Sequence, residues 1–179
     1  WSKVTTVSAG ELPQTVQTAV KELSCAAKEL FGLELATDNK TVSGLEQNLT
    51  AETLAKGTGC TEGFVLVYLP ELVAEYKEGY RMVVTDTAVY LVAGTGRGLL
   101  YGAFDAIRTE IIEDALVACD KKIIPDNPLR MMNHWDNMDN SIERGYSGES
   151  FFFENNEVVV NERTREYARL CASVGINAS

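Results

Sequence analysis

Two apolar runs, Tyr80 to Thr85 and Thr87 to Ala93, stand one residue apart around Asp86, and this spacing constrains the fold more than any other feature of the chain. Short runs rich in Val, Tyr and Leu, broken only by Thr85-Asp86-Thr87, predict an antiparallel hairpin, because a parallel pair needs a crossover of about a dozen residues. A helical period follows from Arg97 to Ile112, with Leu100, Phe104, Ile107 and Ile111 on one side. Upstream, Phe64 to Leu69 predicts a further strand before Pro70, and residues 11–31 place Val16, Val20, Leu23, Ala27 and Leu30 on one face of a helix that Gly32 is positioned to end. Asp38 to Lys56 is polar and mixed, a loop with a short helix after Thr50. Strands packed on one layer of helices make an α+β sandwich, here residues 1–127.

The segment Asp126-Asn127-Pro128 marks a seam. Beyond it, Leu129 to Met132 predicts a buried parallel strand, and Tyr167, Leu170, Cys171 and Val174 form a helical stripe that stops at Gly175. Strand, loop and helix over 128–179 make one βα unit, too little for a (β/α)8 barrel of roughly 200–250 residues. With Trp1 in place of Met and a stop at Ser179, the chain is expected to be a piece of a longer protein.

Composition excludes several classes. Hydrophobic residues make up 45% and charged residues 23%, and no apolar run approaches the roughly 18 residues of a membrane span. A net charge of −10 with scattered basic residues argues against nucleic acid as a partner. Cys25, Cys60, Cys119 and Cys171 form no CxxC pair; Cys25 and Cys171 fall in apolar stripes as buried free thiols, and reduced thiols favour the cytoplasm. No metal site is predicted, because His134 is the only histidine and no HExxH or similar spacing exists.

Gly94-Thr95-Gly96-Arg97-Gly98 links a strand to a helix, the setting of a dinucleotide fingerprint, but Leu99 stands where the third glycine belongs and no parallel βαβ repeat is read around it. The structural alternative is a tight turn that lets the helix approach the sheet.

After Met132 the polar residues crowd. Asn133, His134, Trp135, Asp136, Asn137, Asp139, Glu143 and Arg144 surround one indole just past an apolar run. A pyranose presents a C–H face to an aromatic ring and hydroxyls to carboxylates and amides, so this set suits a sugar site. The residues also admit plainer roles: Trp135 as core, Asp136, Asn137 and Asp139 as turn caps, Glu143 and Arg144 as an ion pair. Phe151, Phe152 and Phe153 cannot all face one core, and at least one is expected to touch another segment or chain.

Leu129 to Gly148, LRMMNHWDNMDNSIERGYSG, resembles the first barrel strand and loop of the glycoside hydrolase family 67 α-glucuronidases, which pair an HWDN with an ERGY element. Glu78 to Arg108 resembles the α+β domain that precedes the barrel there and in other glycosidases, a hexosaminidase domain 2-like sandwich. The resemblance implies the start of a TIM barrel over 128–179 and an inverting enzyme that removes α-1,2-linked (4-O-methyl)glucuronic acid from xylooligosaccharides. It implies no cofactor, glucuronoxylan-derived oligosaccharides as partners and a homodimeric full-length parent. The catalytic acid and base come from later strands in the family, so no catalytic residue is assigned here. What carries over is substrate binding: Trp135 as an apolar wall, Glu143 as a hydroxyl acceptor, Arg144 as a cation for the carboxylate, with Asp136 and Asn137 beside them, and His134 and Asp139 as structural neighbours. Two other classes stay open, a noncatalytic carbohydrate-binding or interaction module and a hexosaminidase-type glycosidase.

Overall fold

The structure, a computed structural model, describes residues 2–45, 48–112, 117–143 and 148–179, with backbone only at 110–112. The chain divides into two compact units, Trp1–Pro128 and Leu129–Ser179.

In the first unit the elements run β1 (Lys3–Ser8), α1 (Gln14–Phe31), β2 (Ala36–Thr41), α2 (Ala51–Thr58), β3 (Gly63–Tyr68), α3 (Val73–Tyr76), β4 (Tyr80–Val84), β5 (Ala88–Ala93), α4 (Gly96–Ala106) with π-helical turns over Ile107–Ile112, and β6 (Cys119–Ile123). They build one mixed six-stranded sheet in the order β2-β1-β3-β5-β4-β6. The predicted hairpin is present, β4 antiparallel to β5 with Met82 opposite Leu91. Around it the sheet is largely parallel: β1 pairs with both β2 and β3, and β3 with β5. The expectation that no parallel βαβ unit exists is therefore corrected, since α1 and α2 are crossovers between parallel strands.

Alternation along the strands sorts the core onto two faces. Val7, Val65, Val67, Val83, Tyr90 and Val92 share one face with Leu49, Leu54 and Cys60 from α2 and its flanking segments. The other carries Val4, Phe64, Leu66, Met82 and Leu91, all buried, under α1 and α4, which pack on each other and on the sheet. Both faces are thus covered, where a single helical layer was expected. Val16, Leu23 and Ala27 are buried as read from the period of α1, whereas Leu30 in the last turn is exposed. Gly32 ends the helix in the left-handed region. Cys25, expected to be buried, is exposed. The buried residues of α4 are Leu99 and Leu100 among small ones; Gly102 lies against the Tyr80 ring and Leu91, where a β-carbon would sit 3.1 Å from the ring. The side chain of Ile111 lies outside the described residues.

The β5–α4 turn is filled by protein. Thr95 caps α4 by accepting from the Gly98 N–H at 3.0 Å, and a β-carbon on Gly94 would fall within 2.7 Å of three backbone atoms of Leu72 and Val73. Gly98 packs on Gly79 and Ala93, and Gly96 on Pro13 and Thr15. A phosphate has no room at this helix end. Gly94→Ala should cost about 1–3 kcal/mol, the range for overpacking a tight contact, read as a lower midpoint in urea unfolding. Calorimetry with NAD or ATP should show no binding to the unsubstituted chain; saturable micromolar binding would contradict this packing argument.

β6 closes the sheet through charge rather than apolar contact. Arg81 donates twice to Asp120, at 2.8 and 2.7 Å; Lys121 pairs with Asp105 at 2.9 Å, which also accepts from the Tyr80 hydroxyl at 2.8 Å. Lys122 pairs with Glu75. The Arg81 guanidinium holds the Asp120 carboxyl below the usual carboxylate range.

Candidate functional site

The second unit is organised by α5 (Glu162–Ser173), after a short hairpin of β7 (Phe153–Glu154) and β8 (Glu157–Val158). Asn161 and Thr164 form a capping box at its start. At its end Gly175 takes φ 75°, and the N–H of Ile176 reaches back to the Cys171 carbonyl at 2.9 Å. The chain then returns beside residues 130–132. Ala178 bridges Met131 in parallel register, the Met132 N–H donates to the Ala178 carbonyl at 3.1 Å, and the Arg130 N–H donates to Asn177 Oδ1 at 2.9 Å.

Leu129 to Met132 was expected to be a buried strand. It makes only this bridge among the described residues, and Leu129, Met131 and Met132 are exposed. A strand is buried only when it has neighbours on both edges and both faces, and within this unit it has one. Leu170 and Val174, expected in the buried stripe of α5, are likewise exposed, while Cys171 is half-buried.

The polar segment after Met132 folds as a small antiparallel ladder. Asp136 bridges Ile142, the Glu143 N–H donates to the Trp135 carbonyl at 2.8 Å, and the Asn137 N–H to the Ser141 carbonyl at 2.8 Å. At the tip Asn140 adopts φ 76°, a conformation that asparagine tolerates better than most residues. Asp139 holds the turn by accepting from the Ser141 N–H at 3.0 Å and hydroxyl at 2.6 Å, and these bonds keep its carboxyl below the usual range. Asn137 Nδ2 donates to the Ser141 hydroxyl at 3.0 Å.

This register divides the candidate residues. Successive residues of an extended chain alternate between faces. Trp135 and Asn137 therefore leave from one face, and Glu143 is tied to Trp135 through its backbone N–H. His134 and Asp136 belong to the other. Asp136 and Ile142 line a cavity of about 470 Å³ together with His134, Glu149, Phe151 and Arg163. A second cavity, of about 360 Å³, runs past Met131, Met132, His134, Asp136, Phe152 and Val158. Trp135 lines neither and is 40% exposed. The backbone thus joins Glu143 to Trp135, and Trp135 leaves on the face opposite Asp136. Arg144 lies outside the described residues.

Sequence reading passed over three groups at this site. Arg163, in the first turn of α5, holds its guanidinium 4.8 Å from the centre of the Phe151 ring and is a cation on the larger cavity. Glu149 adds a second carboxylate there. Tyr167 belongs by period to the apolar stripe of α5, yet its hydroxyl lies 2.6 Å from His134 Nε2. A phenol at a helical core position was the available signal. Phe151 and Phe152 pack on each other at 4.3 Å and both meet Tyr167. Among the described residues no group of three His, Cys, Asp or Glu side chains is arranged to hold a metal ion, and no helix is long and apolar enough to cross a membrane.

A mixed α/β chain with this sheet is similar to parts of two solved glycoside hydrolases. One is a GH138 enzyme targeting pectin rhamnogalacturonan II, with TM-score 0.51 and 17% identity over 72% of this chain and 12% of that one. The other is a family GH115 4-O-methyl-α-glucuronidase with specificity for decorated arabinogalactans, with TM-score 0.53 and 13% identity over 98% of this chain and 24% of that one. At such identities the likeness is one of fold. Sequence similarity goes further. Residues 112–179 match the glycosyl hydrolase family 67 middle domain. The probable α-glucuronidase A of Neosartorya fischeri is 34% identical over 147 residues, 75% of this chain and 17% of that protein; the α-glucuronidase A of Emericella nidulans is 33% identical over 173 residues, 91% and 19%. The chain belongs to glycosyl hydrolase family 67 and spans less than a fifth of the length of these relatives.

Proposed function

We propose that the chain is the N-terminal part of an inverting α-glucuronidase that hydrolyses α-1,2-linked (4-O-methyl)glucuronic acid from xylooligosaccharides. Residues 1–127 are its N-terminal α+β domain, and 128–179 the first βα unit of a (β/α)8 barrel. Family membership and relatives named α-glucuronidase A support the activity. The parallel return of Ala178 onto Met131, with α5 between them, supports the barrel start. In such a barrel the loop after each strand lies on the catalytic side.

The observation that carries the binding role is the pairing of Trp135 with Glu143 across the ladder. A half-exposed indole and the carboxylate residue tied to it through the backbone offer a sugar ring an apolar wall and a hydroxyl acceptor together. Asp136, on the other face, and Asn137, tied to Ser141, shape the loop beside them. Inversion requires a general acid and a general base with carboxyl groups about 6.5–9.5 Å apart; in this reading both come from later barrel strands.

Trp135→Ala, made in the full-length protein, should lower kcat/KM on aldouronic acids roughly tenfold to a hundredfold, the scale of a lost contact of about 1–3 kcal/mol. Its melting temperature should stay nearly unchanged, because Trp135 is 40% exposed. Normal kinetics with a much lower melting temperature would make Trp135 a packing residue and remove the main support for the site.

A further inference from the structure

We infer that Tyr167, backed by Phe152, is a positioning residue for the Trp135–Glu143 pair and acts through His134; the inference rests on the α-glucuronidase reading above. The imidazole of His134 is enclosed on the side of α5. Its Nε2 lies 2.6 Å from the Tyr167 hydroxyl, the Phe152 ring meets it edge-on at 4.6 Å and 67°, and the Tyr167 ring at 5.2 Å and 73°. Phe152 and Tyr167 are in turn perpendicular to each other at 5.4 Å. These three rings brace one another.

The helix that supplies Tyr167 is fixed at both ends. Its capping box secures the N-terminus, and its C-terminal turn leads back to the Ala178–Met131 bridge. His134 immediately precedes Trp135, and in extended chain successive side chains leave on opposite faces. Holding His134 against α5 therefore sends Trp135 to the opposite face. Without the phenol oxygen the imidazole keeps its ring contacts but loses the one directional bond that sets its rotation, and the ladder gains freedom to twist about its own axis. A displacement of about 1 Å in a binding group is enough to cost a large factor in rate. The Nε2 contact with Tyr167 ties His134 to α5 as an anchor.

The test is a double-mutant cycle in the full-length protein with aldouronic acids as substrate, using Tyr167→Phe, His134→Ala and the pair. Each single substitution should raise KM roughly tenfold with kcat within about threefold, since a binding face is displaced and the acid and base are not. The pair should be no worse than the poorer single variant. A merely structural role would instead lower the apparent kcat with the fraction of folded protein and leave KM in place. Wild-type KM in Tyr167→Phe, or effects that multiply in the pair, would overturn the inference while the α-glucuronidase reading stood. A wild-type protein that releases no glucuronate would overturn both. Melting temperatures within a few degrees of wild type, with KM raised, would support positioning over folding.

Discussion

The 179-residue chain assayed alone on aldouronic acids should release no glucuronate, beside a full-length control that does. Inverting hydrolysis needs one group to protonate the leaving oxygen and another to activate water. On the proposed reading, losing either one costs about 100-fold to 10,000-fold, and losing the later strands of the proposed barrel also removes the positioning that makes a bound water reactive. The chain spans less than a fifth of its relatives, and its ladder ties Glu143 to Trp135 through the backbone while Asp136 lines the cavities on the other face. Free glucuronate measured by coupled assay or chromatography decides the matter. Turnover at a rate comparable to the control would mean that the reacting carboxylates lie within this chain, and Asp136, Asp139, Glu143 and Glu149 would then be the residues to substitute.

Phe64→Ala should destabilise the first unit by about 3–5 kcal/mol, the range for truncating a fully buried phenylalanine. Phe64 is wholly inaccessible and lies in β3, with Val4 of β1 on one side and Val89 of β5 on the other. A strand so placed has no free edge along which neighbours can close over the missing ring. Since small domains are stable by only about 5–15 kcal/mol, this change alone removes a large share. Urea unfolding followed by circular dichroism would show a lower midpoint; a loss below about 1 kcal/mol would mean that the sheet relaxes around the site far more than close packing allows. The exposed Leu170, substituted the same way, should change stability by no more than about 0.5 kcal/mol.

The central strands were legible because their burial is written as apolar residues. β3, β4 and β5 carry Phe64, Leu66, Met82, Val89 and Leu91 in runs that no helix period explains, and the short helix expected after Thr50 is present with Thr50 as its cap. β2, in contrast, reads Ala-Thr-Asp-Asn-Lys-Thr and β6 Cys-Asp-Lys-Lys-Ile, and neither contains an apolar alternation to find. With β2 hidden, the parallel crossover through α1 was hidden too, and the chain looked like a simpler α+β arrangement. At the site, Trp135 and Glu143 were visible as residue types, but their pairing depends on the register set by Asp136 and Ile142. Tyr167 and Arg163 lie about thirty positions downstream of the motif they border, and only the folding back of α5 brings them to it.

The polarity that hid β2 and β6 has a use. They are the two outer strands of the sheet, where unpaired backbone amides and carbonyls form a template for any other extended chain. Asp38 and Lys40 on one margin, and Asp120, Lys121 and Lys122 on the other, place charge beside those open groups. A second molecule that tried to extend the sheet would have to strip water from them and match their signs along the whole strand. The same residues that gave no folding signal therefore discourage pairing at either margin, and the apolar interior of the sheet stays between its own strands rather than between molecules.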